Sequence, residues 1–191
     1  MKNIRTILVL FCLLMLLTST TCEQEPNYYS KSIKVTNLIQ IEEKANYAVN
    51  DVLYINALFS RFLPEDVFGN LLDVYRTTLS DRYIITYYLS KKNADNTMTN
   101  ALIYSNLIID KGEIIGQNSE KHSLCILDKG TNKYEFRVGI PLLESGEYVL
   151  KIEPNLNPFQ INNKVNLVIE TTVNDIEINK DSIPTYNFTV N

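Results

Sequence analysis

The 191-residue chain sets 18 basic side chains against 22 acidic ones, a net charge of −4. With no basic stripe, that balance argues against nucleic acid or a bare anionic lipid surface as a partner. One histidine and three cysteines are too few to suggest a His/Cys zinc cluster, and six glycines leave little for a glycine-rich ligand loop.

The chain opens Met-Lys-Asn-Ile-Arg, then runs from Ile7 to Leu17 as eleven unbroken apolar residues. A spanning helix needs about 20, so this run is too short to stay in a bilayer. It has no polar face with which to pack on a soluble domain either. Lys2 and Arg5 ahead of a short apolar core have the form of an export signal, predicting a signal peptide helix within residues 1–21. Its removal takes two of the 18 basic residues and none of the 22 acidic ones, moving the net charge to −6.

The next stretch, Leu16-Leu17-Thr18-Ser19-Thr20-Thr21-Cys22, resembles the signal of exported bacterial lipoproteins of the Bacteroidota type. The usual box has Leu three places before the cysteine and Gly or Ala directly before it, where this chain has Ser19 and Thr21. The resemblance implies lipidation of Cys22 and a membrane partner reached through that anchor, at the outer membrane, on its surface or its periplasmic face. Glu23 and Glu25 loosely resemble acidic signals for surface export. The alternative is plain secretion with cleavage near Thr20, but a lone terminal thiol in an oxidising compartment would be a liability.

Residues 22–32 read as lipid anchor and tether, and residues 33–191 as one domain. Period-two alternation predicts strands over Ser32–Ile41, Asp51–Phe59, Arg82–Ser90, Leu102–Asp110, His122–Asp128, Lys133–Ile140, Gly146–Glu153, Lys164–Val173 and Thr185–Val190. Asp51–Phe59 and Leu102–Ile109 are apolar on both faces, which predicts central, covered positions. Gly112 and Gly130 mark turns. A helix is predicted only near Pro64–Tyr75. The fold class expected is all-β: an antiparallel sandwich of about 8–10 strands.

Phe136 to Ile152 includes a strand, a Pro-containing corner, and Gly146-Glu147-Tyr148-Val149-Leu150 opening the next strand. This resembles the crossing between two strands of immunoglobulin-like and fibronectin-type domains, and implies a structural tyrosine corner at Tyr148. The family's paired cysteines and core tryptophan are absent, so the antibody type is excluded.

Chemistry is sparse. His122 reads as a strand-edge residue and Cys125 as a buried inert thiol. The carboxylate pairs Glu42/Glu43, Glu65/Asp66, Glu144/Glu147 and Asp175/Glu177 sit among turn residues, where solvated loops are the simpler reading. Asp95-Asn96 matches no calcium loop. Asp181-Ser182-Ile183 resembles an O-glycosylation acceptor of exported Bacteroidota proteins, implicating Ser182. These features predict a non-enzymatic envelope domain without catalytic residues, metal or cofactor, binding a protein or glycan ligand at the cell surface. A protein partner is favoured because sugar platforms often use Trp. The alternative is an accessory carbohydrate-binding module or an envelope enzyme with an unrecognised carboxylate site.

Overall fold

The computed structural model describes residues 29–65, 69–117, 121–160, 165–174 and 183–191. The strands begin with β1 (Tyr29–Lys34), β2 (Ile39–Glu42), β3 (Val52–Ser60), β4 (Phe62–Pro64) and β5 (Leu71–Asp73). A short helix, α1 (Val74–Thr78), leads to β6 (Arg82–Ile85), β7 (Tyr87–Lys92) and β8 (Met98–Asn100). After a 3-10 turn (Tyr104–Asn106) come β9 (Ile108–Lys111), β10 (Glu113–Ile115), β11 (His122–Asp128) and β12 (Lys133–Pro141). The rest are β13 (Gly146–Ile152), β14 (Asn155–Pro158), β15 (Val165–Glu170) and β16 (Thr185–Val190).

Predominantly antiparallel strands form a curled, half-barrel sheet consistent with a generic β-sandwich. The ten-stranded sheet runs β1-β15-β14-β6-β11-β12-β3-β2, with β10 on β11 and β9 on β12. A four-stranded sheet runs β16-β13-β7-β8, and β4 pairs with β5. Two parts of the expected architecture are corrected. The strands are shorter and more numerous than 8–10, and β1 runs parallel to β15. The first strand also opens at Tyr29, ahead of the Ser32 start expected from the alternation.

Chain length dictates the curl. β1 and β2 stand at opposite ends of the strand order, yet only residues 35–38 join them. The link from Lys34 to Ile39 reaches about 18 Å at most, whereas the edges of a flat eight-strand path would lie about 34 Å apart. The sheet therefore bends until its ends approach. At the meeting, Leu38 N–H donates to Thr171 Oγ1 (3.0 Å), Asn37 N–H to Thr172 Oγ1 (2.9 Å) and Ile41 N–H to Asn174 Oδ1 (2.6 Å). Ile39 forms a parallel bridge with Val173. Asn37, at φ 58°, makes the left-handed turn that breaks the single strand expected over Ser32–Ile41.

The alternation over Lys133–Ile140 and Gly146–Glu153 turns one set of side chains inward: Tyr134, Phe136, Val138 and Ile140 on β12 and Tyr148, Leu150 and Ile152 on β13 are buried. The two sheets meet where Tyr87 packs 6.3 Å from Phe136 and the Ser123 hydroxyl donates to Tyr87 Oη at 3.1 Å. Phe59 stacks on Tyr134 at 4.7 Å, Tyr83 packs edge-on against both, and Tyr134 Oη donates to Ser80 O at 2.7 Å. Burial of each such ring stabilises the fold by roughly 1.5–3 kcal/mol.

Four other segments differ from expectation. Arg82–Ser90 is two strands: β6 pairs with β11 in the larger sheet, and β7 with β13 in the smaller. Leu102–Ile109 is not covered, for Ile103, Ile108 and Ile109 are 50%, 40% and 48% exposed. On β3, Leu53, Ile55, Ala57 and Phe59 are buried but Leu58 is not, so only one face is fully covered. The helix starts not at Pro64 but after Asp73, whose carboxylate accepts from Arg76 N–H (3.0 Å) as an N-cap.

Two residues hold local junctions. The β11–β12 hairpin splays beyond its first pairs, and β9 and β10 enter the fork, β9 on β12 and β10 on β11. Gly112 lies at the apex at φ 83°, where a Cβ would meet Leu124 O at 2.3 Å and Phe136 Cδ2 at 2.8 Å. Gly112→Ala is expected to cost about 2 kcal/mol or more, read as a lowered urea midpoint. Asp73 also accepts from Arg61 Nε (2.7 Å) and Nη2 (2.6 Å), and that pairing holds its carboxyl below the ordinary range. A depressed folded pKa stabilises above the unfolded value of about 3.9 and is lost as pH falls through the folded one. Asp73→Asn, which can still cap the helix, should therefore lower the urea midpoint at pH 7 and weaken the fall in stability towards pH 2 relative to the parent.

Candidate functional site

The inward face of the four-stranded sheet continues past the core to an open mouth. Register places Phe188, Tyr148, Lys91 and Thr99 in one cross-strand row, from β16 to the edge strand β8. Opposite this row the end of β12 and the corner after it supply Ile140, Pro141, Leu142 and Leu143. Between them lies a cleft of about 240 Å³ with Leu89, Ile140 and Leu142 as buried floor and Thr99, Asn100 and Asn106 among its polar lining.

A lysine stands in this inward row. Lys91 Nζ contacts Glu144 Oε2 at 2.5 Å and lies 6.0 Å from the centre of the Tyr148 ring. The Lys91 stem crosses Gly146, where a Cβ would stand 2.9 Å from Lys91 Cε; φ is 143°, which also favours glycine. Tyr148 Oη donates to Glu144 O at 2.8 Å, fixing the corner that carries the counter-ion. The shared bond raises the Lys91 ammonium above its usual range and lowers the Glu144 carboxyl, while burial raises the Tyr148 phenol.

Of the residues singled out in the sequence, Cys22 and Ser182 lie outside the described residues, as do Asp66, Asp175 and Glu177. Cys125 is buried, and burial pushes its thiol well above the ordinary value. His122 is exposed at the start of β11 and does not line the cleft. Glu42 pairs with Arg137 (2.9 Å) while Glu43 accepts from Asn174 Nδ2 (2.6 Å), Glu65 pairs with Lys31, and Glu144 and Glu147 diverge to Lys91 and to Lys92 (2.8 Å). Asp95 is engaged by the Thr97 amide and hydroxyl within its own turn. Among the described residues, no group of three or more His, Cys, Asp or Glu could hold a metal, and no helix is long and apolar enough to cross a membrane.

Lys91 was the residue missed. Its signal was present, since Tyr83, Ile85, Tyr87 and Leu89 set an alternation that reaches Lys91 when carried two residues past Leu89. Comparison with protein-family models, with curated proteins and with solved structures finds no match to this chain. Tyr148→Phe is expected to lower stability by about 1 kcal/mol in urea unfolding through loss of the corner bond. Tyr88→Phe, at an exposed ring, should change it by less than about 0.5 kcal/mol.

Proposed function

We propose that the chain is a non-enzymatic, lipid-anchored β-sandwich of a bacterial cell envelope that binds or scaffolds a protein partner through the cleft beside β8. The observation that carries the binding part is the cleft itself: an apolar floor, polar residues in its lining, and one cation held in place. Glu144 is the one carboxylate among its described lining residues, whereas glycoside hydrolysis uses two carboxyl groups set across a cleft. That arrangement favours binding over an envelope enzyme.

The anchor rests on the leader: Lys2 and Arg5, the short apolar core, and Cys22 after small residues. In this reading Cys22 carries the lipid, the domain stands at the outer membrane, and Ser182 is an O-glycosylation acceptor. The bond from Tyr148 Oη to Glu144 O, beside the Pro-containing corner, supports an immunoglobulin-like relationship for this part of the sandwich.

Mass spectrometry of the native protein is expected to find residue 22 first and acylated, and Cys22→Ser is expected to move the protein from the membrane to the soluble fraction. A native chain that retains Met1, or carries no acyl group, overturns the anchor. A photocrosslinker replacing Ile103 at the cleft is expected to trap a defined envelope protein, while one replacing the exposed Leu58 on β3 traps none. Equal yields from both positions overturn the cleft as the binding site.

A further inference from the structure

Lys91 and Glu144 are unequally held. The lysine side chain is 24% exposed, threaded between Gly146 and the Tyr148 ring, while Glu144 is 71% exposed. The cation is thus fixed at the mouth and its counter-ion stands largely in water, where an ion pair contributes little and yields readily to a competitor. An inward lysine near a sheet edge also discourages strand-to-strand aggregation. That role explains the charge, but it requires neither an adjacent apolar floor nor a bare Cα for the lysine stem to cross.

We propose that the cleft binds a carboxylate carried on a short apolar group, the carboxylate taking the place of Glu144 at Lys91 Nζ and the apolar group lying on Leu89, Ile140 and Leu142. This rests on the reading of the same cleft as a binding site and names its ligand class. Charge sets the choice of an anion, because the held group is the cation. Size sets the length: about 240 Å³ lies below the range of about 300–1,000 Å³ typical of drug-sized ligands, so a short branched chain fits where a long acyl chain does not. The same chemistry occurs in a free short-chain acid and in the last residue of a protein ending in an apolar side chain. The second source adds a peptide group that Asn100 or Asn106 can meet.

The test titrates the purified full chain with 4-methylpentanoate, N-acetyl-leucine, 4-methylpentanamide and 4-methylpentylamine, following chemical shifts of the cleft residues. Both carboxylates are expected to bind. Lys91→Met should weaken them about tenfold or more, and Glu144→Gln, which removes the competing anion, should tighten them by a few-fold. Tighter binding of N-acetyl-leucine identifies a chain terminus as the source, and tighter binding of 4-methylpentanoate a free acid. The gain in Glu144→Gln keeps the proposal open to refutation even where Lys91→Met fails to fold. Binding of the amide or amine as strong as that of the acids overturns the ligand class and leaves the cleft a binding site. Absence of shifts with all four probes overturns both.

Discussion

The closing seam governs the architecture. Because residues 35–38 must carry the chain from one end of the strand order to the other, Ile39 comes to lie against Val173, and backbone amides of residues 37, 38 and 41 find acceptors on Thr172, Thr171 and Asn174. A flat sheet would leave these donors to water and would present two open edges, which favour association with other chains. Bending satisfies them and wraps the apolar faces of β3, β6 and β12 around a common core.

Within that frame the four-stranded sheet covers the open side. Tyr87 reaches Phe136 and Ser123 across the layer boundary, while Tyr148, Tyr186 and Phe188 stack along the other edge of the same face. The cover is incomplete at β8, and the mouth that remains is the cleft. Its position is thus set by which sheet runs out of strands first, and its charge by Lys91 falling on the inward side of β7.

The legible parts of the fold were strands that alternate and remain in one sheet. Lys133–Ile140 and Thr185–Val190 match because each has one buried or half-buried face, so burial writes itself as period two. The change of sheet at Thr86 left no mark, since Tyr83, Ile85, Tyr87 and Leu89 point into one core whichever sheet holds them. Apolarity misled at Leu102–Ile109, where exposed isoleucines flank a 3-10 turn instead of filling a central strand. In the cleft, Gly146 and Tyr148 stood in the corner sequence, but nothing local announced that Lys91 would meet Glu144, 53 residues on.

The parallel pairing of β1 with β15 sets an order of events. Tyr29 lies beside Val165, 136 residues later, so nearly the whole domain must emerge before its first strand has a neighbour. Closing so long a loop carries an entropic cost that no local contact offsets beforehand, and topologies of this kind fold slowly. For a chain that emerges amino end first during synthesis, β1 cannot be built into the sheet until β15 is out. Its leading strand stays without a sheet neighbour, an open edge to other chains, until Val165–Glu170 have followed.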